Sequence, residues 1–281
     1  MHKNLNRVLS IALVSAACAV SAVAQPNNFD QGSETSCGSL PNYLALKAAL
    51  TQAVQAETSG LNFHMWGTLV DRAGIVCAVA FSGSGVGSQW LGSRVISAQK
   101  ANTANDFSLD PSAASNGSGG PLALSTANLY SAVQPGGSLF GLQESNPVNP
   151  AVAYAAQYQY YGTPFDPMVG NRVGGVNVFG GGLALYNAGH QLVGAVGVSG
   201  DTSCADHMIA WRVRNLLGLD HLGTVIPGPA GLFVKDTTHP DNIIYDITAN
   251  PNGGTGNSAS GFGHPQCLNT GDQSKLPPVS N

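Results

Sequence analysis

Two tight turns constrain this chain most. Arg72-Ala73-Gly74 separates the β-rich runs His64–Asp71 and Ile75–Phe81, and Asn187-Ala188-Gly189-His190 separates Val176–Tyr186 from Gln191–Val198. Such a pattern is a hairpin signal, and hairpins make antiparallel pairs. Helical spacing flanks them. Leu44, Ala48 and Val54 lie near one face of Leu40–Glu57, with Gly60 as a stop, and Trp90–Phe107 reads as a second helix with small residues on one face. A third runs from about Cys204 to Leu217; Asp201, Thr202 or Ser203 caps it and Gly218 ends it. Leu122–Ser131 reads as a short helix, and Ser138–Leu142 as a short strand after Pro135-Gly136-Gly137. The order is helix, two strands, helices, three strands, helix. It predicts an α+β fold with an antiparallel sheet.

The remaining segments do not share this periodicity. Pro147–Gly175 reads as an insertion, with Tyr154, Tyr158, Tyr160, Tyr161 and Phe165 among Pro and Gly. Leu219–Asn281 is rich in Pro, Gly and Asn, with short strands expected at Leu232–Lys235 and Ile243–Ile247. The expected organisation is therefore a signal peptide at 1–24 and a polar segment at 25–39. A domain at 40–217 follows, with an aromatic-rich insertion at about 145–176, and then an extension at 218–281.

The signal reading rests on Lys3 and Arg7, the apolar stretch Val8–Val20, and the small-x-small site Ala22-Val23-Ala24. That stretch is shorter than the ~20 apolar residues a membrane span needs. Cleavage leaves nine cations against 15 acids, a net charge of −6. Only 9% of the chain is charged, against about 25% in ordinary soluble domains. So few cations exclude a wide phosphate-binding face and disfavour anionic membranes. The expected location is periplasmic or secreted. Cleavage also removes Cys18 and leaves Cys37, Cys77, Cys204 and Cys267, an even count that suggests two disulfides in an exported chain. The first helix runs back to feed the first hairpin, so the second strand begins near that helix's start. That favours Cys37–Cys77, and then Cys204–Cys267. Cys37–Cys267 with Cys77–Cys204 is the alternative. The spacing does not suit zinc, and no metal is expected.

The sequence has no P-loop, no Gly-x-Gly-x-x-Gly opening a helix and no Gly-x-Ser-x-Gly elbow. The histidines form no metal-binding spacing. His207 follows Asp206 in the first turn of the last helix, where free N–H groups favour anions. Its bland reading is a solvated helix residue. Arg94 and Lys100 are the only cations of the second helix. Where cations are scarce, each suits a specific partner; the bland reading is a solvated pair. The tyrosines suit a planar ligand, an oligomer interface or a satellite apolar cluster.

Three stretches together resemble one family. They are Trp66-Gly-Thr-Leu-Val-Asp-Arg-Ala-Gly74, Ser97-Ala-Gln-Lys-Ala-Asn-Thr-Ala-Asn-Asp-Phe107 and Gly181-Gly-Leu-Ala-Leu-Tyr-Asn-Ala-Gly-His-Gln-Leu-Val-Gly-Ala-Val-Gly-Val-Ser-Gly200. In this order they are similar to the GlcG/HbpS-like family, which includes the C-terminal domain of PduO-type proteins. The resemblance covers about residues 40–217 outside the insertion. It implies a profilin-like fold with a five-stranded antiparallel sheet flanked by helices, homo-oligomers and, in several members, haem. The chain departs from the family in its insertion, its tail, and Cys204 with His207. The resulting expectation is an exported, oligomeric protein that binds haem or a related planar molecule. Axial ligation falls to His207, His64 or a tyrosine such as Tyr161, and propionates fall to Arg94 or Lys100. Two rivals stand beside it: a small-molecule enzyme with an Asp206–His207 acid/base pair, and a ligand-free interaction module.

Overall fold

The computed structural model describes residues 36–281 except 116 and 118. The expected signal peptide, and most of the polar segment after it, lie outside the described residues. Helix α1 (Tyr43–Ala56) begins at Asn42, whose side-chain oxygen accepts the Ala45 N–H at 3.1 Å and so satisfies an orphan donor of the first turn. Strands β1 (Trp66–Asp71) and β2 (Val76–Phe81) form the first hairpin. Helix α2 (Ser93–Phe107) follows. Strands β3 (Gly182–Tyr186) and β4 (Leu192–Ser199) form the second hairpin. Helix α3 (Ser203–Leu216) starts at Thr202, whose side chain caps the Ala205 N–H.

The four strands make one antiparallel sheet in the order β2-β1-β4-β3. Strand alternation divides its side chains between two layers. Leu69, Ala78, Val196 and Val198 join Leu46 and Leu50 of α1 and Ile209 and Trp211 of α3 in one core. Trp66, Val70, Val79 and Ala195 join Val95, Ala98 and Ala101 of α2 on the other face. Helix α2 lies directly on the sheet because its facing residues are small. A Cβ on Gly197 would stand 1.9 Å from the Ser97 carbonyl oxygen, so only glycine fits under the helix there.

The main sheet has four strands among the described residues, not five. The run Ser138–Leu142, expected as a strand, is turn leading into a helical turn at Leu142–Ser145. Gly136, at φ 85°, turns the chain just before the run and Gly141, at φ 89°, turns it within the run, which leaves too little extended backbone to pair. Leu122–Ser131 winds as short 3-10 turns. Residues 232–234, also expected as strand, belong to a wide helical turn at Ala230–Val234. The tail's paired strands are β5 (Ile247–Thr248) and β6 (Asn257–Ser258).

The tail packs onto α3 through polar anchors. Arg214 and Asp241 form an ion pair at 2.6 Å with both side chains fully buried. The Trp211 indole donates to the Pro277 carbonyl at 2.8 Å. Both favoured disulfides are present, Cys37–Cys77 and Cys204–Cys267. The described residues form a single compact unit.

Candidate functional site

The sequence-predicted residues separate into two groups and one buried outlier. The first group sits where the end of β4 turns into α3. Lys100 of α2 donates to Asp206 at 2.7 Å and to the Val198 carbonyl at 3.1 Å. Asp206 also accepts the N–H groups of Gly200 and Asp201 at 3.1 and 2.9 Å. Both side chains are almost wholly buried. Burial pushes the Asp206 carboxyl up to about 6, against the pull of Lys100, and burial lowers the Lys100 ammonium despite Asp206. For each group, loss of water outweighs the attraction of its partner. Glycine at 181 makes room for the pair: a Cβ there would lie 3.0 Å from the Asp206 Cβ and 3.2 Å from the Lys100 Nζ. The pair borders a cavity of about 300 Å³ walled by Trp90, Ile96 and Phe179.

The second group lies on the face covered by the insertion. Arg94 donates to Asp166 through Nε at 2.9 Å and through Nη2, and to the Ala153 carbonyl at 2.8 Å. The Tyr161 ring lies 3.6 Å from its guanidinium carbon, a cation–π contact. Asp166 takes two further N–H bonds from Gly162 and Met168. This knot ties the insertion to α2. Gly162, at φ 69°, lies against the Trp66 ring, and a Cβ there would meet it at 2.6 Å.

Two adjoining hollows open beside this knot, of about 190 and 430 Å³, sharing Trp66, Tyr158 and Tyr161. Trp66 and Phe81 stack at 4.5 Å, and Lys47 of α1 reaches the larger hollow and donates to the Phe81 carbonyl. His64 stands exposed at its rim, beside Gly83 and edge-on to Phe81. Its Nδ1 meets Ser82 Oγ at 3.2 Å. Asp201 fixes the segment before it by accepting the N–H groups of Leu61 and Phe63.

His207 is the outlier. It is completely buried, and neither ring nitrogen has a hydrogen-bond partner. Burial first, with Arg214 and His264 nearby, pushes it down to about 3. It is neither a solvated helix residue nor open to an outside ligand. No hydrogen bond joins it to Asp206, because neighbouring helix residues do not face each other. The expected Asp206–His207 acid/base pair is replaced by Lys100–Asp206. Arg94 and Lys100 are likewise not solvated; each is already closed onto a carboxylate.

His264 and Asp71 each lie close to a pair of cysteines, but those sulfurs are bonded to each other. A hollow of about 780 Å³ lies elsewhere, between Tyr130–Ser138 and the tail, with no charged side chain in its lining. Sequence reasoning passed over Lys47 and Asp166 and took Asp201 only as a candidate helix cap. The first two carried a signal: Lys47 is the only cation of its helix and Asp166 the only acid of the insertion.

A family model described as HbpS-like, haem degrading protein HbpS-like, matches residues 43–214. Among solved structures the chain is similar to protein ORFY of Klebsiella pneumoniae, at 24% identity over 63% of this chain and 90% of that one, TM-score 0.40. It is similar to the protein of a PduOC:heme complex at 22% identity over 63% and 91%, TM-score 0.40. It is similar to HbpS at 18% identity over 64% and 91%, TM-score 0.35. No curated protein matches the chain.

Proposed function

The chain belongs to the HbpS-like family, and from that membership we propose that it is an exported, oligomeric protein that binds haem or a related planar molecule on the face between β1, β2 and the insertion. The observation that carries this reading is an exposed imidazole, His64, set against Gly83 and Phe81, which line a hollow together with Trp66, Tyr158 and Tyr161. The donor set fits the group. An imidazole with one ring nitrogen turned to Ser82 has the other for iron. Aromatic faces suit a flat macrocycle. Lys47 supplies an ammonium for a propionate, the task that Arg94 and Lys100 cannot take while paired. Haem, when bound, supplies an iron centre for ligand exchange or electron transfer.

Assembly and export rest on other features. Trp90, Leu91, Phe165 and Phe179 are all exposed, and an assembly of copies would cover such apolar surface. Two disulfides suit an oxidising compartment.

Titration of the purified mature protein with haem, followed in the Soret region, tests the site. The expected result is a Soret shift at micromolar haem, weakened and spectrally altered in His64→Ala and unchanged in His207→Ala. A His64→Ala protein with an unaltered haem spectrum would overturn the assignment of the ligand.

A further inference from the structure

The smaller hollow, of about 190 Å³, has a chemistry that haem does not use. Trp66 and Gln89 both line it. The Trp66 indole N–H and both polar atoms of the Gln89 amide are buried and have no hydrogen-bond partner among the described residues. Gln89 is 7% exposed and Trp66 2%, so bulk water does not supply the missing bonds. Folded proteins satisfy the great majority of such groups, because an unmade bond leaves the full desolvation cost standing. Here three unmade bonds belong to two side chains of one small hollow.

The rest of the lining narrows what would complete them. Arg94 is closed onto Asp166 and covered by Tyr161, so the wall has no free charge. Leu91, Tyr154 and Tyr158 present flat or apolar surface. Tyr154 and Tyr158 are themselves mostly exposed, and side chains at such positions turn on a fast timescale. The volume equals roughly six waters at about 30 Å³ each, which is the size of one or two fused rings and far below a tetrapyrrole.

We propose that this hollow binds an uncharged planar heterocycle with an acceptor–donor–acceptor edge, two ring carbonyls flanking an N–H. The ring N–H donates to the Gln89 carbonyl oxygen. One ring carbonyl accepts from the Gln89 amide N–H, and the other accepts from the Trp66 indole N–H. The tyrosines cover the ring faces. An anion has no unpaired cation here, and a hydrocarbon leaves all three groups unsatisfied.

Calorimetric titration of the full mature protein with lumazine and with 1,3-dimethyllumazine tests the edge directly. The two share a ring, but methylation removes the N–H. Lumazine is expected to bind below about 1 mM, with the dimethyl compound at least about tenfold weaker. Gln89→Met is expected to abolish the difference while keeping the circular dichroism spectrum and the haem titration of the wild type. Equal binding of the two compounds, no binding of lumazine up to that concentration, or an unaffected Gln89→Met variant overturns the proposal. The Soret titration reads the neighbouring hollow through His64, so the haem reading and this one fail separately.

Discussion

Exchanging Lys100 for Met retains most of the side-chain volume and removes the ammonium from Asp206. In the wild type Asp206 accepts Lys100 at 2.7 Å and two backbone N–H groups, with its side chain 3% exposed. The variant keeps the backbone bonds and loses the compensating charge. Breaking one side of a buried pair costs about 3–5 kcal/mol, or a fall of roughly 6–20 °C in Tm for a chain of this size. The cost depends on pH. The folded-state pKa of Asp206 is raised to about 6, above the ordinary carboxylate value of about 4. The native state therefore binds more protons than the unfolded state between those values, and stability falls as pH rises through that window. Without Lys100 the folded pKa climbs further and the window widens upward. Urea unfolding of Lys100→Met beside wild type should show a small difference near pH 4 and the full deficit near pH 8. The double variant Lys100→Met, Asp206→Leu should recover most of the loss, because an apolar replacement of a buried pair is neutral or stabilising. A deficit equal at both pH values, or a double variant as unstable as the single one, would refute the claim that burial dominates this pair.

Three further outcomes follow from the geometry. Asp241→Ala strands the fully buried Arg214 and should cost about 3–5 kcal/mol, with faster limited proteolysis of the tail. Burial holds His207 at about 3 and His264 at about 4. The unfolded state then binds more protons below pH 6.5, and stability should drop as pH falls from there toward 4; His207→Phe should make that decline shallower in a urea series. Gly162→Ala puts a methyl into the Trp66 ring at a positive φ. It should cost roughly 1–3 kcal/mol and weaken haem binding, read by denaturation and Soret titration.

The helices and hairpins were legible because their signals are local: spacing, a cap at Thr202, a stop at Gly218. The cysteine pairing was legible because a hairpin fed by a helix brings its second strand back to that helix's start. The strand expected at Ser138–Leu142 failed for a local reason too, since one positive-φ glycine precedes it and another lies within it. The site was less legible. Arg94 and Lys100 were singled out as scarce cations, but their carboxylates lie 72 and 106 residues away. Spacing cannot report such partners. His207 looked like first-turn surface because the tail that packs on its helix, through Asp241 on Arg214 and Pro277 on Trp211, has no periodicity to announce its return. His64 precedes a strand, and its exposure depends on which way the chain enters the sheet.

The face around His64 is proposed to take a flat iron-bearing ligand. Optical titration of the mature protein with haem, wild type beside His64→Ala and His207→Ala, tests it most directly. A saturable Soret shift is expected in the wild type, lost or altered when His64 is replaced and intact when His207 is replaced. No shift in the wild type at micromolar haem would contradict it.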